Sequence, residues 1–186
     1  MTFAPNDFAT WIADLPKNLE ADKITVAVVM FGANDLQSLR DDNHKGYNFG
    51  TPGWKTVYKE RIDKSLAEFA KLNIRVVWIG LPIMRNDDSN KGSQLLNEMF
   101  AASVKSKTAV FLPLIDDFKG SDGAFASHLD DAEGHSKQVR AEDGVHFTPL
   151  GYAMIAKKVY AAIPPPLPVP PAPAPAPVAA APEAAH

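Results

Sequence analysis

VAVVMFGAND, Val26 to Asp35, decides the fold. Its first six residues are apolar, and the run stops abruptly at Gly32, Ala33, Asn34 and Asp35. A continuous apolar run without polar alternation fits a strand covered on both faces, hence a central strand of a parallel sheet. The polar turn behind it then sits at the sheet's carboxyl edge, where open α/β sheets bind ligands and do chemistry.

Working outward, the strand is expected from about Ile24 to Phe31. RVVWIGLP, Arg75 to Pro82, reads as a second strand stopped by Gly80 and Pro82, and AVFLPL, Ala109 to Leu114, as a third. Helical spacing fills the intervals. Asn6 or Asp7 can cap a first helix with Phe8, Trp11, Ile12 and Leu15 on one face; Pro16 ends or kinks it, and Leu19 continues that face. A long helix is expected from Trp54 to Leu72 with Tyr58, Ile62, Leu66 and Phe69 inward. Another runs from Ser93 to Ser106 with Leu96, Met99, Phe100, Ser103 and Val104 on its stripe. Thr148 caps a last helix with Pro149 in its first turn and Tyr152, Ile155, Ala156 and Val159 inward. Gln37 to Pro52 and Asp116 to Asp143 carry no persistent period and read as loops, the second long enough to act as a flap over a site. The alternation α, β, α, β, α, β, α implies a three-layer α/β/α sandwich around a parallel sheet.

From Pro164 onward the chain is almost wholly Pro and Ala, a composition that favours extended polyproline and cannot build a core. Residues 1–163 are therefore the folded domain and 164–186 a disordered spacer. A net charge of −3 gives no sign of a nucleic-acid surface. With no cysteine, disulfides, thiolate metal sites and a Cys nucleophile are excluded. No apolar run approaches the roughly 20 residues of a transmembrane helix, and the residues after Met1 are not a signal peptide.

Two short stretches carry chemistry. Taken singly, Gly32 to Asp35 is an ordinary strand-ending turn, and DGVHFTPLGY, Asp143 to Tyr152, is a turn followed by a helix start. Together they make a constellation. Asp143 and His146 are three apart across a turn, so the carboxylate can accept from imidazole Nδ1–H and leave Nε2 as a general base. Asn34 offers a side-chain amide where an oxyanion would develop. An acid, a base and an amide donor are the parts of an acyl-transfer site that still needs a nucleophile.

GAND after an apolar strand and DGVH before a C-terminal helix resemble the third and fifth blocks of the SGNH (GDSL-type) hydrolases. WIGLPIMR and VRAEDGVHFTPLGY resemble, more narrowly, a bacterial domain-of-unknown-function branch of that superfamily. The resemblance covers roughly Asp7 to Ile163. It implies a flavodoxin-like sheet of order 2-1-3-4-5, hydrolysis of acyl or acetyl esters, no cofactor and no metal, and an extracytoplasmic compartment. It gives Asn34 and Gly32 the oxyanion-hole block, and Asp143 and His146 the acid and base. Arg85, after the second strand, receives no role.

The superfamily's Gly-Asp-Ser nucleophile turn and its second, glycine-bearing block are absent, since no glycine or serine precedes Gly32. Thr2, Thr10 and Thr25 are the only hydroxyl side chains there. The fold is therefore expected to lack its first two strands, through truncation or through loss in a pseudoenzyme. The Val26–Phe31 strand would then carry an open edge that invites self-association. A non-catalytic domain that holds an acylated glycan or peptide is the alternative. His128, Asp130, Asp131 and His135 hold metal-ligand side chains but read as a solvated loop, and Asp41, Asp42, His44, Asp87 and Asp88 as surface charges.

Overall fold

A computed structural model describes residues 8–21, 23–106 and 108–166. The expected caps Asn6 and Asp7, and all but the first three residues of the Pro/Ala tail, lie outside this range. The described strands and helices are α1 (Phe8–Ala21), β1 (Val26–Val29), β2 (Leu39–Arg40), β3 (Gly46–Tyr47), α2 (Pro52–Lys71), β4 (Arg75–Ile79), α3 (Asp87–Ser103), β5 (Ala109–Leu112), β6 (His128–Asp130), β7 (Ser136–Gln138) and α4 (Pro149–Ala162). The main sheet is parallel, in the order β1-β4-β5, with Val28 level with Val77 and Val77 level with Val110.

The alternation along β4 assigns the two faces of the sheet. Val76 and Trp78 join Val29, Tyr58, Ile62 and Phe100 in a core roofed by α1, α2 and α3. Val77 and Ile79 face the other way, toward Ile155 and Val159 of α4 and the loop residues Leu114, Phe118 and Phe147. Helices therefore cover both faces, and the chain is an α/β sandwich.

Within that frame several expectations shift. β4, not the Val26 strand, is the central strand: Val76 to Ile79 are all buried, whereas Val28 is 52% exposed. β1 occupies a sheet edge, and it is four residues long rather than eight. α1 runs through Pro16, which ends nothing. α3 begins six residues before Ser93, because Asn86 caps it by accepting from Ser89 N–H at 3.0 Å. Asp87 and Asp88 occupy its first turn, where carboxylates favour the helix dipole. On α4, Ile155 and Val159 are buried as expected, but Tyr152 is 46% exposed and Ala156 is also exposed.

Both expected loops contain small antiparallel ribbons, β2–β3 and β6–β7. One device closes each. Asp41 Oδ1 accepts from the backbone N–H of Asn43 and Lys45, both at 2.9 Å, and Asp131 Oδ1 accepts from Glu133 at 3.1 Å and His135 at 2.8 Å. The left-handed residue each turn needs is His44 in the first and Gly134 in the second. Asp41 is thus a structural anchor rather than a free surface charge, and its Oδ2 also accepts from Tyr47 Oη at 3.1 Å.

Candidate active site

The carboxyl ends of β1 and β4 open into a pocket of about 180 Å³. Phe31 to Asn34 form one wall, Leu81, Pro82 and Met84 another, and Val145 to Phe147 a third. The sheet-edge rule for α/β folds places a ligand there.

The first wall is fixed from below. Asp35 N–H donates to Gly32 O at 2.8 Å, closing the turn, and the fully buried Asp35 carboxylate accepts from Tyr58 Oη at 2.7 Å. Gly32 has φ +121°, and a Cβ there would lie 2.9 Å from Leu81 Cδ1 and 3.1 Å from Leu96 Cδ1. Glycine is therefore required both for the backbone and for the packing beneath it. The turn leaves Asn34 exposed at the pocket, with its side-chain amide unengaged among the described residues. Its backbone carbonyl accepts from Gln37 Nε2.

The second wall is held by Asn97 of α3. Its Oδ1 accepts from Leu81 N–H at 2.7 Å and its Nδ2 donates to Leu81 O at 2.8 Å, so the chain leaving β4 is paired as though by another strand. The sequence reading missed this buried amide, because Asn97 sits next to an apolar stripe and looks like a surface residue.

On the third wall, His146 Nδ1 lies 2.6 Å from Asp143 Oδ2. Asp143 Oδ1 accepts from the backbone N–H of Val145 at 2.8 Å and of His146 at 2.9 Å. The hydrogen bond from His146, followed by those two amides, holds the Asp143 carboxyl well below the usual carboxylate range. Both side chains are substantially exposed, His146 at 67% and Asp143 at 48%, so solvent reaches the pair. Gly144, at φ +75°, makes the turn between them; a Cβ there would lie 2.6 Å from Arg85 Cβ. Arg85 N–H donates to Gly144 O, and its guanidinium to Glu142 O. Arg85 thus braces the turn from outside.

The four residues singled out in sequence, Gly32, Asn34, Asp143 and His146, fall on or beside one pocket. A carboxylate–imidazole pair of this geometry fixes the neutral tautomer with the proton on Nδ1 and leaves Nε2 as acceptor. Among the described residues, the pocket lining includes no Ser, Thr or Cys. A larger pocket of about 470 Å³, between the β2–β3 ribbon and α2, is lined by Asp41, Lys45, Arg61 and Lys64, and its described lining includes no histidine. At the β6–β7 tip, Asp131, Glu133 and His135 bring one potential ligand atom each within 4.8 Å, without His128 or Asp130. Asp131 Oδ1 is already committed to the turn's amides.

The family described as "Protein of unknown function (DUF459)" matches residues 1–162. The chain belongs to that family. The match spans both halves of the pocket, the Gly32–Asp35 turn and the Asp143–His146 turn, together with the core between them. No curated protein matches the chain. Among the described residues, no helix is long and apolar enough to cross a membrane.

Proposed function

We propose that this DUF459 chain carries the acid, the base and one oxyanion donor of an SGNH-type ester hydrolase, and lacks the nucleophile. The observation that supports this most directly is the 2.6 Å Asp143–His146 pair on a pocket it shares with Asn34. In this reading, His146 Nε2 takes the proton of an attacking hydroxyl as the ester carbonyl is attacked. Asp143 stabilises the imidazolium, Asn34 Nδ2–H faces the developing oxyanion, and the imidazolium then returns the proton to the leaving alkoxide. Acyl or acetyl esters are the substrate class.

Without a Ser nucleophile at the pocket, whose hydroxyl-bearing lining residue is Tyr152, the chain as written is expected to be inactive by this route, since a triad without its nucleophile keeps only residual rate. A fluorophosphonate probe is expected to leave it unlabelled, and ester hydrolysis to show no component that His146→Ala removes. A form extended upstream by a strand ending in Gly-Asp-Ser is expected to be labelled. Labelling of the unextended chain at a serine, abolished by His146→Ala, would overturn the assignment of a missing nucleophile. Failure of the extended form to label would favour the second reading, a domain that holds an acylated glycan or peptide without cleaving it. The apolar walls of the pocket, Phe31, Leu81, Met84 and Val145, favour that reading. The edge of β1 that no strand among the described residues covers, beside exposed Ile24 and Val28, is in the same proposal a self-association surface.

A further inference from the structure

Arg140 lies beneath the Asp143–His146 turn and is 0% exposed. Its guanidinium donates to Ile83 O at 2.8 Å, to Gly144 O and Val145 O at 3.1 Å each, and more weakly to His146 O at 3.4 Å and Met84 Sδ at 3.7 Å. The Phe147 ring covers it at 4.7 Å and the Phe125 ring at 5.0 Å. Among the described residues, it makes no ion pair. Burial lowers its pKa to about 10.

A guanidinium at this depth is a poor way to gain stability, because an apolar side chain of similar volume avoids the desolvation. What the fork provides is direction. Three successive carbonyls, of residues 144, 145 and 146, converge on it from the turn that carries acid and base. The fourth, Ile83, belongs to the segment leaving β4, whose neighbours Pro82 and Met84 line the opposite wall. One planar group thus reaches all four carbonyls and ties the two segments together. Around it the backbone closes in step: Ala141 N–H donates to His146 O at 2.9 Å, and Thr148 N–H to Val139 O at 3.0 Å.

We propose that Arg140 is a positioning residue: its guanidinium fixes the Asp143–His146 pair against the pocket by tying the turn's carbonyls to the end of β4. The proposal rests on the reading of Asp143 and His146 as the working pair, and its test reads the imidazole rather than turnover. A failed ester assay therefore leaves it intact, and its own failure leaves the ester proposal intact.

The experiment is nitrogen-15 and proton NMR of the full chain for wild type, Arg140→Met and Arg140→Lys, with circular dichroism to establish folding. Wild type is expected to show one His146 tautomer, protonated at Nδ1, with a strongly deshielded proton shared with Asp143. In a folded Arg140→Met the expected result is loss of that proton signal, mixed tautomers, and an Asp143 titration raised toward the ordinary carboxylate range as the imidazole hydrogen bond loosens. A purely structural arginine would lower the melting temperature and leave those signatures unchanged, and that result overturns the proposal. If Arg140→Met does not fold, Arg140→Lys decides, because it keeps a cation but not the fork. Loss of the Nδ1 proton signal in it supports the assignment, and an unchanged signal refutes it.

Discussion

Tyr58→Phe removes one oxygen from the middle of the protein, and the structure says what that oxygen does. The Tyr58 ring is 0% exposed and stacks on Trp54 with centroids 4.5 Å apart and planes 11° from parallel. Phenylalanine keeps that stack. What it loses is the 2.7 Å bond to the Asp35 carboxylate, itself 0% exposed. A hydrogen bond to a charged acceptor contributes about 1.5–3 kcal/mol, and no water enters easily to replace it. At about 2–4 °C per kcal/mol for a domain of this size, the melting temperature should fall by roughly 3–12 °C. A pH arm isolates the hydroxyl. Burial first, then the charge of Asp35, raise its pKa well above the ordinary tyrosine value. In the unfolded chain the phenol ionises near about pH 10. The stabilisation is therefore fully present below that pH and is lost as pH climbs toward the folded-state pKa. Urea unfolding of wild type and Tyr58→Phe at intervals from neutral pH upward should show a gap that is constant to about pH 10 and then narrows. A gap under about 0.5 kcal/mol at neutral pH, the range of an ordinary surface substitution, would refute the anchoring role given to Asp35.

His146→Ala should raise the Asp143 pKa toward the ordinary aspartate value, because the imidazole hydrogen bond is what chiefly holds it down; carbon-13 titration of the carboxyl reads this directly. The sign for stability follows: the Asp143 contribution is present above the unfolded aspartate pKa and fades as pH falls toward the depressed folded value, so the variant should lose less stability on acidification. Gly144→Ala should cost about 1–2 kcal/mol from its left-handed backbone alone, with a further cost from the 2.6 Å approach to Arg85 Cβ, measured by chemical denaturation. Val28→Lys, on the exposed face of the edge strand, should lower concentration-dependent association in light scattering, and equal masses for both proteins would count against the edge as the contact.

The fold class was legible because strands and helices announce themselves by period and length, and Val26–Val29, Arg75–Ile79 and Ala109–Leu112 are all short apolar runs between helical stretches. Which strand is central was not. VAVV and RVVWI look equally apolar, and only the partners on either side decide that Val77 is buried while Val28 is half open. The ribbons β2–β3 and β6–β7 escaped because two or three residues carry no period. Their signal is local instead. In both DDNHK, Asp41 to Lys45, and DAEGH, Asp131 to His135, the leading carboxylate accepts from the second and fourth amides beyond it.

The same chemistry explains what was and was not visible of the site. Asp143 uses one oxygen as those two aspartates do, on the amides of its own turn, and that leaves the other for His146. A turn-forming aspartate therefore comes to hold an imidazole by the placement of one histidine three residues on, a relation that spacing reveals. Arg140 has no such signature. VRAED looks like a charged surface stretch, and nothing in it says that its arginine is enclosed by two phenylalanines and four carbonyls. Local hydrogen-bond chemistry is written in neighbouring residues and can be read from them. The anchor that joins two distant walls, reaching Ile83 behind one and His146 on the other, exists only once the chain between them has folded.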